Sequence, residues 1–205
     1  MTLTLFESIQ EIVRDELGRM RTAEIATVQT QHPHASSGDN DNYACTVALR
    51  DSGIVLGHVP VATGRIGSAS IPAVGELVLV QFVNGDINAP VIVGRLYNDQ
   101  DRPPENADGQ AIFNLPLDGS GIHVELDAGS PPKVLLKVGS SIQLKIQDDD
   151  PAVVVDVGGA GTLKIAKDGA VSIKTNGDLK LEAGGDIDIE AQSQLTLKGA
   201  TVNIN

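Results

Sequence analysis

A chain of 205 residues with 27 acidic against 15 basic side chains, formal charge −12, is a poor ligand for phosphate backbones or anionic lipid. Trp is absent and aromatics make up 2%, which excludes a large aromatic core or a stacking platform for bases. The length allows one or two domains, and 22 glycines suit many short strands joined by corners. One cysteine, Cys45, cannot form an internal disulfide and sits in the apolar stretch 43–49, where it is expected as a small core residue. No basic segment followed by an apolar one opens the chain, and no run approaches membrane-span length. Synthesis and assembly in the cytoplasm are the expectation.

Residues 3–20 read LTLFESIQEIVRDELGRM. Leu5, Ile9, Ile12 and Phe6, Val13, Leu17, Met20 recur at three- and four-residue spacing, which predicts an amphipathic helix. Gly18 loosens its end. Its apolar side packs either on its own domain or against another chain.

From 21 to 98 the pattern changes to apolar strands with turn punctuation, at 23–29, 43–49, 55–61, 76–83 and 90–96. Polar stretches rich in Gly, Asn and Asp separate them at 36–42, 51–53 and 84–88. Five strands in ~75 residues fit a small Greek-key barrel, the OB-fold. Pro72 and Gly75 shape a turn before a strand whose inward face is either Leu77 and Leu79 or the Val78, Val80, Phe82 set. Gly85 and Asp86 open the loop to the last barrel strand.

Residues 99–121 read as a connector, stiffened by Pro103-Pro104. Ile112, Phe113, Leu115 and Leu117 in it are expected to plug the top of the C-terminal region. From Ile122 a two-residue alternation begins: Ile122, Val124, Leu126; Leu136, Val138; Ile142, Leu144, Ile146; Val153, Val155, Val157. Inserts at 129–133 and 148–151 make its spacing irregular.

From 161 to 205 the chain keeps an eight-residue period: GTLKIAKD, GAVSIKTN, GDLKLEAG, GDIDIEAQ, SQLTLKGA, TVNIN. Leu163, Val171, Leu179, Ile187 and Leu195 each have an aliphatic partner two places on, at Ile165, Ile173, Leu181, Ile189 and Leu197. That spacing puts both members on one face of a short strand. Gly161, Gly169, Gly177 and Gly185 open four blocks, and Asp168-Gly169 and Asn176-Gly177 are turn dipeptides. Repetition at a fixed period marks a β-helical or prism-like array. A single chain would need three blocks, 24 residues, for one triangular turn, and the five complete blocks give fewer than two turns. An open sheet would leave ten aliphatic side chains in water, each forgoing ~1.5–3 kcal/mol. Three chains side by side, each turning its pairs toward a common axis, solve this. The expected architecture of 122–205 is an intertwined, obligate homotrimeric β-prism, with those ten residues as its core and a wider upper part narrowing into the regular octads.

The run IPAVGELVLVQFVNGDINAPVIVGRLYN (71–98) resembles a signature of the phage baseplate assembly protein V family. That family includes the central spikes of contractile phage tails and the valine-glycine repeat spikes of type VI secretion. Pro72, Val74, Gly75, Glu76, Val78, Val80, Phe82, Gly85, Asp86, Pro90, Val91, Gly94 and Arg95 carry the match, and the octads resemble the family's needle. The resemblance implies a structural, non-enzymatic spike of a phage tail or phage-like injection particle. In it the barrel docks on the tail hub and baseplate, and the prism pierces the target envelope under force transmitted from sheath contraction. A target membrane would be met only during puncture. It also implies a tip solution: histidines around a metal, or a separate cap of the PAAR-repeat type. No histidine occurs after His123, so a cap bound on Thr201, Val202, Asn203, Ile204 and Asn205 is expected.

His32-Pro33-His34 is an H-x-H pair of the kind some relatives gather at the tip, but here it precedes a polar run and reads as surface-loop histidines. Asp148, Asp149 and Asp150 before a proline read as a solvated corner rather than a cation site. GGDIDIEA (184–191) lacks the full calcium nonapeptide. His58 and His123 stand isolated, without a serine or cysteine constellation, and no catalytic residue, cofactor or metal is expected. Two other classes compete. One is an OB-fold binder of nucleic acid or glycan on a trimeric stalk, which the acidic balance and the few barrel aromatics (Tyr43, Phe82, Tyr97) disfavour. The other is a trimeric β-prism adhesin, which the missing secretion signal disfavours.

Overall fold

The computed structural model of the chain describes residues 4–19 and 22–203. It divides into two compact units, Met1–Glu105 and Asn106–Asn205.

The first unit opens with helix α1, Leu5–Arg19. Thr4 and Glu7 form a reciprocal cap: the Thr4 N–H donates to Glu7 Oε2 at 2.7 Å, and the Glu7 N–H donates to Thr4 Oγ1 at 3.3 Å. This explains why the helix starts where it does. Leu5, Phe6, Ile9, Ile12 and Val13 are all at least half exposed, so among the described residues nothing in its own unit covers this apolar side. Leu3 and Met20 lie outside the described residues.

Five strands come next: β1 Ala23–His32, β2 Ala44–Leu49, β3 Val55–Pro60, β4 Leu77–Phe82 and β5 Pro90–Leu96. Their order in the sheet is β3-β2-β1-β4-β5, antiparallel throughout. A parallel bridge from Val61 to Ile92, with Ala62 N–H donating to Ile92 O at 2.8 Å, brings the two edges together and closes the barrel. Closure removes the free edges that would otherwise pair with other chains. Of the two candidate inward faces of β4, the structure selects Val78, Val80 and Phe82. They pack with Ala26, Val28, Cys45, Val47, Leu49, Val59 and Ile92 in one core. Cys45 is fully buried, and desolvation raises its thiol pKa. Gly75 has φ +93° where the chain turns into β4, a backbone angle that favours glycine, and its N–H donates to Val28 O.

Among its described residues the second unit holds one sheet of seven strands in sequence order: β6 Gln110–Leu115, β7 Ile122–Asp127, β8 Lys133–Val138, β9 Ile142–Gln147, β10 Val153–Val157, β11 Gly161–Ile165 and β12 Val171–Thr175. Each strand pairs antiparallel with the next. β6 lies inside the stretch read as connector. Ile112, Phe113 and Leu115 belong to this strand, where adjacent Ile112 and Phe113 point to opposite faces rather than jointly forming a plug. Asp168-Gly169 is the turn its sequence predicts: Gly169 has φ +90°, and Asp168 Oδ1 accepts the Ala170 N–H. Gly161 instead begins a strand, and Gly177 is not among the positive-φ glycines. The chain still turns at 158–160, before Gly161, and bends at Asn176-Gly177, so corners fall at these block boundaries, with a positive-φ glycine opening the block at Gly169.

Candidate functional site

The register of the second sheet sorts its side chains into two faces, because directly opposed residues of antiparallel strands share a face. Three rows run across all seven strands on one face. The central row is Phe113, Val124, Leu136, Leu144, Val155, Leu163 and Ile173. One flanking row is Ala111, Leu126, Val134, Ile146, Val153, Ile165 and Val171; the other is Leu115, Ile122, Val138, Ile142, Val157, Gly161 and Thr175. Every member but the last two is apolar. Among the described residues no second layer covers this face: Ile122, Leu126, Val138, Ile142 and Ile146 are all more than 40% exposed.

The other face is mainly polar, with Ile112, Leu135 and Val154 among its charged and amide side chains. Lys133 Nζ lies 3.1 Å from Glu125 Oε1 and 3.6 Å from Asp127 Oδ2, and Gln110 Nε2 donates to Asp127 at 3.0 Å. These contacts hold the Asp127 carboxyl below its ordinary range, the Gln110 hydrogen bond foremost, and raise the Lys133 ammonium, chiefly through Glu125. His123 Nδ1 meets Asn114 Oδ1 at 2.8 Å on the same face. The aspartate run behaves as a corner: Lys167 Nζ meets Asp148 Oδ1 at 2.7 Å, and the Lys167 N–H donates to Asp150 Oδ1.

Of the ten expected core residues, Leu163, Ile165, Val171 and Ile173 fall on the apolar face. Leu179, Leu181, Ile187, Ile189, Leu195 and Leu197 lie beyond β12, each more than half exposed. Among the described residues from 178 to 203, no backbone group hydrogen bonds to another backbone group. These blocks carry strand spacing but lack a ladder. Thr201, Val202 and Asn203 are exposed as well; Ile204 and Asn205 lie outside the described residues.

In the barrel, Glu76 and Arg95 of the sequence signature face each other, with Arg95 Nη1 3.6 Å from Glu76 Oε2. A second constellation was not legible from spacing. His32, read as a loop histidine, is the last residue of β1. Together with Asp41 and His58 it forms a cluster whose ligand atoms all lie within 4.8 Å of one another. The His32 and His58 rings are stacked, centroids 4.0 Å apart and 18° from parallel. His34 turns away and meets Asp39 at 2.8 Å. The signal available in the sequence was the pair of histidines flanking strand β2; the bulge that rotates His58 toward His32 leaves no sequence mark.

A closed five-stranded barrel joined in the same chain to a sheet with one bare apolar face defines an OB-type domain carrying a β extension. Residues 22–97 match the family model described as the type VI secretion system/phage-baseplate injector OB domain. Over these residues the chain is similar to the OB domain of baseplate and spike proteins. Similar proteins include the type VI secretion system spike proteins VgrG2a and VgrG1a of Pseudomonas aeruginosa. The first is 31% identical over 98 residues, the second 30% over 97, and each match covers 46% of this chain. The actin cross-linking toxin VgrG1 of Vibrio cholerae is 30% identical over 95 residues. The matches span 10%, 12% and 7% of those three proteins, so the chain corresponds to a small part of each.

Proposed function

We propose that the chain is a structural, non-catalytic spike subunit of a contractile tail or related injection particle, and that it works as a homotrimer. The observation that carries this reading is the three-row apolar face crossing every strand of the second unit. A single-layer sheet must cover such a face, and three copies turned toward a common axis would do so without any other protein. The octads beyond β12 extend the same demand, since they need both a cover for their aliphatic pairs and ladder partners for their backbone. Intertwined chains supply both.

In this reading the barrel docks on the tail hub and baseplate, and the exposed side of α1 contacts another chain of the assembly. The β extension is the rod that pierces the envelope. Strands crossing the rod ~4.8 Å apart share an axial load among many hydrogen bonds. Residues 201–205 take a PAAR-type cap protein. Assembly takes place in the cytoplasm, and the finished particle carries the spike.

A nucleic-acid or glycan role for the barrel has little to work with: Phe82 is buried, the Tyr43 hydroxyl accepts the Ser70 N–H at 2.6 Å, and of the three barrel aromatics Tyr97 alone is largely exposed. Electrophoresis in detergent without heating tests the reading. A band at three times the chain mass is expected, and a monomer band alone would refute the intertwined assembly.

A further inference from the structure

We propose that His32, Asp41 and His58 form a binding site for a divalent transition-metal ion, with Zn2+ the best fit, that pins the loop between β1 and β2 to the barrel. Three separate elements meet there: the end of β1, the loop after it, and the middle of β3. Two imidazoles and one carboxylate are a donor set that suits zinc, with water completing four-coordination.

Bulges shape the barrel at this point. On the β1 side of β2 the pairing skips Gln29, between Val28 and Thr30; on the β3 side Gly57 and His58 together face Thr46. Extra residues of this kind re-aim side chains and gather next to functional sites. His58 has φ +51°, a region uncommon for non-glycine residues that histidine, like asparagine and aspartate, enters more readily than most.

The remaining partners are organised around it. Thr46 Oγ1 lies 2.9 Å from His32 Nε2 and fixes the ring, as outer contacts of metal-binding imidazoles do. Asp39 accepts N–H groups from Ala35 and Ser36 at 2.7 Å and from Asp41 at 3.2 Å, which shapes the loop that presents Asp41. His58 Nε2 is 3.8 Å from Asp41 Oδ1. Ligands around a tetrahedral zinc with bonds of ~2.0–2.2 Å sit about 3.3–3.5 Å apart. The cluster, with ligand atoms up to 4.8 Å apart, must therefore contract by up to about 1.5 Å, and the stacked His58 ring must turn to aim a nitrogen at the ion; both movements are open to a side chain that is 69% exposed.

The test is calorimetric titration of the full chain with ZnCl2 after treatment with EDTA. One ion per chain is expected. Asp41→Asn and His58→Asn should each weaken binding about tenfold or more, and His34→Asn should leave it unchanged. Asparagine at 58 tolerates the positive φ, so that variant separates lost ligation from lost folding, and circular dichroism verifies each fold. Cobalt substitution of the unaltered protein should give visible absorption bands of a four-coordinate site. Absence of zinc uptake, uptake that Asp41→Asn and His58→Asn leave unchanged, or absence of the cobalt bands would each overturn the assignment.

Discussion

Leu163 lies directly opposite Ile173 across the β11–β12 pair, and Ile165 lies opposite Val171. The first aliphatic of one eight-residue block thus meets the second of the next, around the turn at Asp168-Gly169. The four residues share a face with the rows that begin at Phe113 and Ala111. Past Thr175 the sequence keeps its period while the chain's own ladder stops. The proposed trimer rests on that mismatch, because the later blocks need partners that the single chain does not offer.

Substitutions at the two kinds of octad position should separate sharply. Leu179→Asp or Ile187→Asp would bury three carboxylates around one axis, each unpaired and costly. Trimer yield in size-exclusion chromatography should collapse. Lys180→Glu and Thr196→Lys should be tolerated. Lys180 Nζ lies 2.6 Å from Glu182 Oε1, and both residues alternate in sequence with Leu179 and Leu181. Equal tolerance at both kinds of site would contradict the inward assignment.

Barrel stability should depend on the core around Ile92, which is 1% exposed. Ile92→Ala should cost about 2–5 kcal/mol through lost burial and a residual cavity. Ile66 is 90% exposed, and Ile66→Ala should stay within about 0.5 kcal/mol. Urea unfolding of the full chain, followed on the barrel, measures both.

The tie between Asp148 and Lys167 predicts a pH window. The hydrogen bond from Lys167, and then its charge, lower the Asp148 pKa; the same hydrogen bond raises that of Lys167. A lowered carboxyl contributes stability above its unfolded value, about pH 4, and loses it as the pH falls through the folded value. A raised ammonium contributes fully below about pH 10 and loses it as the pH rises through its folded value. The tie is therefore complete between those limits. In an NMR titration the Asp148 midpoint should lie below that of a free aspartate and move up in Lys167→Met; an unmoved midpoint would contradict the contact.

Removing residues 201–205 should abolish capture of the PAAR-type cap protein while leaving the assembly state unchanged. Loss of both together would place these residues in the trimer core instead.

Much of the barrel was legible because its strands alternate and are bounded by Gly, Asn and Asp. β4 left its face open, since Leu77 and Leu79 are as apolar as Val78 and Val80, and barrel curvature made the choice. β6 was hidden by its surroundings: Pro103-Pro104 and the polar run before Gln110 read as linker, and adjacent Ile112 and Phe113 blur the alternation. The octads disclosed which side chains share a face but not where their ladder partners come from, because a strand's period is the same whichever chain lies beside it. The cluster of His32, Asp41 and His58 was illegible for a different reason, since it depends on a bulge in β3 that rotates one side chain.

Sedimentation equilibrium of the full chain over a wide concentration range tests the trimer most directly. The account predicts one species at three times the 21.4 kDa chain mass, without dissociation on dilution. A stable, folded monomer at any concentration would contradict it.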